Sequence, residues 1–264
     1  MEIGHTIPVL DHGYVKLIGT MGTDETIIEA ARMSTNKGFE GWDKDAKLLE
    51  FLYKHSHMTP FEMCELSIEV ACPLFVRSEW HRHRTWSYNE LSARYTQMPD
   101  VHYLPSAGRI KKQSKTNKQG SAESLPEDLA KDILKNFEHE QSAIYAWYDS
   151  LVKAGVAKEI ARINTPMSRY TRFRAKTDLR NVLGFLALRK PENAQWEIRQ
   201  YADAIGEIVK EKWPRTYALF EEYTLNAVKL SASEAAALRF YLNERGATAN
   251  EGSKLDSAFK NLSL

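Results

Sequence analysis

Polar and apolar positions alternate in Tyr14-Val-Lys-Leu-Ile18, as they do in a strand, and Gly19-Thr-Met-Gly-Thr-Asp24 then reads as a turn into a helix. Ile27, Ile28, Ala31 and Met33 are the apolar positions of that helix. The turn lacks the third glycine and the full βαβ unit of a dinucleotide fingerprint, so it is read as an ordinary helix start. A second amphipathic helix is predicted from about Asp43 to His55, with Leu48, Leu49, Phe51 and Leu52 facing inward. Glu65-Leu-Ser-Ile-Glu-Val-Ala71 alternates again and predicts a half-buried strand, after which Pro73 opens a helix through Trp80.

From Pro105 to Pro126 the chain carries Arg109, Lys111, Lys112, Lys115, Lys118 and several serines with almost nothing apolar, and reads as a mobile basic loop. A long helix follows, with Glu127 and Asp128 in its first turn, Gly155 past its end, and Tyr145, Trp147 and Tyr148 expected in the core. Further helices are expected near 157–164, 178–189 and 194–212, broken by Pro214 and resuming to about Tyr223. Ser231-Ala-Ser-Glu234 resembles a capping box for a last helix ending at Gly246, and Ala247–Leu264 reads as loosely ordered. The pattern predicts an α+β fold: a largely antiparallel sheet covered by helices, a helical C-terminal half, a main domain over 1–225 and a helical extension and tail over 226–264.

A chain of 264 residues, 43% hydrophobic, can bury a sizeable core without disulfide staples. Its formal net charge of +1 gives no bulk attraction to nucleic acid or membrane, so any recognition of charge is local. Cys64 and Cys72 lack the spacing of a CxxC motif and make a weak disulfide framework, which points to a reducing cytoplasm. The chain opens without a basic-then-apolar leader and has no apolar run of membrane-spanning length, so neither export nor membrane insertion is expected.

Against this neutral background residues 79–97 are unusual, because Arg82, Arg84, Arg94, His81 and His83 crowd into one stretch. Guanidinium groups bind phosphates bidentately and stay charged, Ser87, Asn89 and Ser92 add neutral donors, and Glu90 can accept from ribose hydroxyls or a ring N–H. The plainer alternative is a solvated salt-bridge face. Trp80, Trp86, Tyr88, Leu91 and Tyr95 interleave with the charges, which argues for arginines anchored beside buried rings and held for a ligand.

A second set, Arg162, Arg169, Arg172, Arg174, Arg180 and Arg189, lies downstream, and most of it is expected on the surface. Arg189 ends the apolar run Val182–Leu188, where partial desolvation would strengthen its pull on an anion. His57, near the Pro60 turn, suits proton transfer or ring positioning, whereas His55 is better read as a helix C-terminus. The His55/His57 and His81/His83 pairs have no spaced acidic or cysteine ligands and stand near arginines that repel cations, so no metal site is predicted.

Arg82-His-Arg84, then seven residues, then Ser92, within RHRTWSYNELSARY, resembles the signature of the flavin-dependent thymidylate synthases. The similarity continues through His57-Met-Thr-Pro-Phe-Glu62, Glu159–Arg162, Arg169–Phe173, Phe185–Arg189 and Ala194–Ala202, in order, covering roughly residues 10–225. The resemblance implies reductive methylation of dUMP to dTMP, with methylenetetrahydrofolate as carbon donor, FAD as the flavin recharged by NADPH, and a homotetramer whose active sites lie at subunit interfaces. By position it places Thr59, Arg82, His83, Arg84, Glu90, Asp178 and Arg180 at FAD, and Glu79, Arg82, Glu90, Ser92, Ala93, Arg94, Arg162 and Arg189 at dUMP. Arg189, Ser92 and His57 become the catalytic candidates: Arg189 beside an ionised uracil, Ser92 as a positioning donor, His57 near the flavin. Glu79 replaces a glutamine common in relatives, Asp178 and Gly184 replace flavin-side asparagines, and Asn193 replaces a histidine.

Two other readings stay open at the level of sequence. Basic and aromatic residues side by side, with the lysine-rich loop, would also suit a nucleic-acid binding module, whose affinity would fall steeply with salt. A relative that binds flavin or nucleotide without turning over is the other, and the retained arginines, Ser92 and His57 speak against it.

Overall fold

The structure, a computed structural model, describes residues 1–115, 118 and 120–244. They fall into two compact units, the first ending at Leu225 and the second beginning at Asn226. In the first unit, strands β1 (Thr6–Val9), β2 (Gly13–Met21), β3 (Glu65–Pro73) and β4 (Ser87–Glu90) are followed by a small hairpin of β5 (Lys111–Gln113) and β6 (Ser121–Ser124). With β7 (Tyr170–Asp178), the first four build a five-stranded antiparallel sheet in the order β1-β2-β3-β7-β4.

The helices are α1 (Asp24–Arg32), α2 (Trp42–Lys54), α3 (Leu74–Trp80), α4 (Glu127–Lys153), α5 (Lys158–Ala161), α6 (Leu179–Arg189), α7 (Trp196–Lys212) and α8 (Pro214–Phe220). Val15 and Leu17 of β2, Leu66, Ile68 and Val70 of β3, and Phe173 and Ala175 of β7 pack one sheet face against Val182, Phe185 and Leu186 of α6 and Ile198, Tyr201 and Ile205 of α7. The opposite face is polar: Arg174 meets its register partner Glu69 at 3.2 Å and Lys176 meets Glu65 at 2.7 Å. The second unit contains α9 (Ala232–Glu244), capped as the Ser231–Glu234 pattern predicts: Ser231 N donates to Glu234 Oε2 at 2.8 Å and Glu234 N to Ser231 Oγ at 3.3 Å.

Several expectations are corrected. β7 is a central strand in which Thr171, Phe173, Ala175 and Thr177 are buried while Arg172, Arg174 and Lys176 are exposed. Arg172 and Arg174 are exposed, as expected for most of the downstream arginines, but grouping them as arginines masked the period-2 pattern of a strand. The basic segment 105–126 includes the β5–β6 hairpin and a 3-10 turn over Ala107–Arg109, pinned because Arg109 donates to buried Glu197 at 2.9–3.0 Å and lies over the Trp196 ring. Met33 lies beyond the end of α1 and is exposed; Phe51 points outward on α2 and meets the rings of His55 and His57. On α4, Tyr148 is buried, but Trp147, one position of helical rotation away, is exposed. The predicted helix end at Gly246 and the tail beyond it lie outside the described residues.

Gly13 sits where α7 crosses the β1–β2 hairpin, and Tyr201 donates to Ala71 O at 2.9 Å directly over it. A Cβ at position 13 would collide with the Tyr201 hydroxyl and with the carbonyls of Val9 and Ala71 at 2.6 and 2.8 Å. Gly13→Ala is therefore expected to lower stability by roughly 1–3 kcal/mol through overpacking. Thermal unfolding followed by circular dichroism measures it, and an unchanged melting temperature would contradict the packing described.

Candidate active site

The site begins with the roll of α3. Val76 and Trp80, four residues apart, are its buried positions and face the core. At about 100° of rotation per residue, Arg77 then projects on one flank of the helix and Glu79 on the other. Two separate groups of polar side chains follow from this.

On the Arg77 flank lies a cavity of about 480 Å³, lined by Arg77, Glu90, Ser92, Ala93, Arg162 and Arg169 among others. Glu90, at the end of β4, is fixed: Arg77 reaches its Oε2 with Nε at 2.9 Å and Nη2 at 2.8 Å, and Thr171 of β7 donates to its Oε1 at 2.7 Å. Arg162 arrives from the 3-10 turn after α5, and Arg169 from the residue before β7. Neither forms an ion pair among the described residues, so three guanidiniums face one carboxylate and two positive charges are left over. Ser92 Oγ accepts the backbone N–H of Arg94 at 3.3 Å. Among the described residues no histidine lines the cavity to act as its base.

On the Glu79 flank, Arg189 closes α6. Its Nε donates to His83 Nε2 at 3.0 Å, Nη1 lies 3.4 Å from Glu79 Oε2, and Nη2 donates to the Glu79 carbonyl at 3.2 Å. Burial, helped by the neighbouring guanidinium, pushes His83 down to about 4, so the imidazole is neutral and Nε2 is an acceptor. Burial raises the Glu79 carboxyl, and Arg189 pulls against that rise.

The remaining predicted residues lie elsewhere. Asp178 caps α6 by accepting from Asn181 N at 2.9 Å and Nδ2 at 2.6 Å, and Arg180 is paired with Glu62 at 2.5 Å. Those residues are at the opposite end of an 11-residue helix from Arg189, roughly 15 Å away along its axis. Thr59 opens the 3-10 turn over Thr59–Met63, and His57 is exposed against Phe51. Arg94 is exposed and pairs with Glu159 at 3.3 Å, outside the cavity lining. Arg82 and Arg84 are exposed and make no ion pair among the described residues. Two such cations beside a neutral, hydrogen-bonding imidazole suit the diphosphate of a dinucleotide cofactor, so this donor set fits FAD. Asp178 and Arg180 are already engaged within the fold.

The structure thus unites Glu90, Ser92, Ala93 and Arg162 in one cavity and Glu79, His83 and Arg189 in a second cluster. Sequence reading begins the site stretch at Arg77 but assigns no role to Arg77, Arg169 or Thr171. The alternation of 170–178 would have turned Thr171 inward, and Arg169, expected on the surface, is 5% exposed.

Residues 16–215 match the family described as thymidylate synthase complementing protein. The chain is 46% identical to a flavin-dependent thymidylate synthase of Thermus thermophilus, over 90% of this chain and 87% of that one. It is 40% identical to the flavin-dependent thymidylate synthase of Wolbachia pipientis wMel, over 92% and 86% of the two chains. Among solved structures it is similar to a UMP/dUMP methylase, PolB from Streptomyces cacaoi, bound with 5-Br UMP: TM-score 0.74, 27% identity, 83% of this chain and 98% of that one. The form bound with 5-Br dUMP gives a TM-score of 0.75.

Because the Arg189 guanidinium helps depress His83, Arg189→Ala should move the His83 titration back up from about 4 toward the ordinary histidine range. Histidine NMR against pH reads this directly. In the unaltered protein the unfolded chain takes up this proton below about pH 6.5 while the folded one does not until about 4. The contribution of His83 to stability is thus complete above that window and is lost as pH falls through it. A His83 that titrates normally with Arg189 intact would overturn the geometry.

Proposed function

The chain belongs to the thymidylate synthase complementing family, and from that membership we propose that residues 1–225 form a flavin-dependent thymidylate synthase. The reaction is the reductive methylation of dUMP to dTMP, the closing step of de novo dTMP biosynthesis. When bound, FAD recharged by NADPH supplies the hydride, and methylenetetrahydrofolate is the carbon donor.

The surplus of two positive charges in the cavity carries this assignment, because it equals the charge of a nucleotide monophosphate dianion. Arg162, Ser92 and Ala93 hold dUMP there, and Glu90, immobilised by Arg77 and Thr171, presents a fixed acceptor toward ribose or ring. Ser92 positions the nucleotide through its hydroxyl. Arg189 supplies a partly buried cation that favours the ionised, more nucleophilic uracil, and the neutral His83 orients that guanidinium without competing charge. Arg82, Arg84 and Thr59 would hold the cofactor, with His57 near it. The protein works in the cytoplasm, in keeping with two free, buried thiols.

Groups on opposite flanks of α3 do not face one ligand within a single chain. We therefore take the assembly to be a homotetramer in which the cavity of one subunit is completed by the partner subunit's Arg189. Exposed apolar residues beside both halves support this: Ile163 next to Arg162, Met167 on the cavity rim and Leu188 next to Arg189.

The first test is the absorbance of purified protein followed by anaerobic NADPH and dUMP: a flavin band that bleaches, with dTMP formed once methylenetetrahydrofolate is added, is expected. Arg189→Ala should abolish dTMP formation while leaving the flavin bound. The shared-site geometry predicts more: Arg189→Ala and Arg162→Ala subunits, each inactive alone, regain turnover when co-assembled, because mixed oligomers contain sites lacking neither arginine. Co-expression that yields mixed oligomers without activity would show that each site lies within one chain.

A further inference from the structure

Arg169 lines the cavity, and neither the sequence pattern nor the family resemblance gives it a ligand of its own. Its backbone is pinned: its carbonyl accepts from Leu74 N at 2.9 Å, its N–H reaches Pro166 O at 3.2 Å, and it bridges His102 in an isolated antiparallel pair. Its side chain is sealed, with the residue 5% exposed and lining the cavity, and Nε and Nη1 are out of reach of solvent without any hydrogen-bond acceptor among the described residues. Burial weakens its hold on the proton to about 10, still far above neutrality, so the group is a cation at physiological pH. Glu90, the carboxylate of the cavity, is taken up by Arg77 and Thr171, and the nearby Arg162 repels.

A desolvated guanidinium with two unmet donors is costly to keep, and a charge left this way in a core is normally neutralised or paired. The cost is offset if an anion arrives with acceptor oxygens. A phosphate dianion meets the need, since its oxygens accept in the bidentate geometry that a guanidinium offers and its charge balances Arg162 together with Arg169.

We propose that Arg169 is a buried phosphate anchor, gripping the 5′-phosphate of the uridylate substrate alongside Arg162 and setting the cavity's preference for nucleotide over nucleoside. This rests on the cavity being the dUMP site. Because the anchor acts on the phosphate and the chemistry occurs on the ring, its loss weakens nucleotide binding and leaves nucleoside binding alone. Because the free protein bears the unpaired charge, its removal does not destabilise the unliganded fold.

The test compares dUMP with 2′-deoxyuridine on FAD-loaded wild-type protein, Arg169→Leu and Arg169→Gln, using calorimetry and, for the weaker ligand, competition. We expect Arg169→Leu to weaken dUMP on the order of 10- to 100-fold, the size of a lost charge-assisted pair, with deoxyuridine changed less than about two-fold. The unliganded variant should melt no lower than wild type, and its melting shift on adding dUMP should shrink. Arg169→Gln, which keeps a polar side chain, carries the same comparison if the leucine variant does not fold. An equal loss for both ligands, or an unchanged dUMP affinity, overturns the anchor. If wild-type protein itself shows no preference for dUMP over deoxyuridine, the assignment of the cavity to the nucleotide fails instead.

Discussion

The indole of Trp80 is the constraint on which the rest depends. It is fully buried and meets the rings of Phe185 at 4.8 Å, Phe173 at 5.4 Å, Trp86 at 6.0 Å and Tyr201 at 6.1 Å. One side chain thereby ties α3 to β7, to the approach of β4, to α6 and to α7. Truncating such a residue costs about 3–5 kcal/mol, a large part of a domain's net stability. Its functional consequence is rotational: with Trp80 and Val76 turned to the core, α3 cannot roll, and Arg77 and Glu79 are held on opposite flanks. A single packing event therefore divides the polar groups into two half-sites.

Electrostatics then differentiates the halves. In the cavity, positive charge accumulates in partly dry surroundings, with the carboxylate locked to one arginine and one threonine hydroxyl. Such preorganised donors need little rearrangement when an anion enters. In the cluster at the end of α6 the same physics acts in reverse on titratable groups: burial keeps His83 neutral so that it can accept from Arg189. Two apolar environments thus yield an uncompensated cation in one place and a neutral imidazole in the other, because guanidinium holds its proton and imidazole does not.

Much of this was legible in the chain. The alternation of 65–71, Pro73 before α3, and the apolar run closing on Arg189 placed β3, α3 and α6, and the RHRTWSYNELSARY motif pointed to Glu90 and Ser92. β7 was hidden because its outward positions are Arg172, Arg174 and Lys176, residues that match a ligand site and a solvent-facing strand equally well. Only pairing with β3 and β4 decides between them. Arg169 was hidden for a related reason: burial of an arginine is set by its neighbours in space, here Tyr145, Tyr148, Arg162 and Glu90, and not by local pattern. The division of the site required knowing which face of α3 is apolar in the fold, and Leu74 and Phe75 left that choice ambiguous in sequence.

The departure at Glu79 follows the same logic. A glutamate where the family resemblance implies glutamine would bring negative charge toward a dianionic substrate. Two forces act on its carboxyl: burial favours the neutral form, Arg189 at 3.4 Å favours the charged one, and burial is the larger. Arg189, moreover, directs Nε to His83 and Nη2 to the Glu79 carbonyl, which leaves the carboxylate contact its longest and weakest bond. Displacement toward the neutral form gives a carboxyl group one donor and one acceptor, the hydrogen-bonding face of a carboxamide. The carboxyl at position 79 thus sits where burial disfavours its charged form, beside an arginine whose shorter bonds go to neutral acceptors.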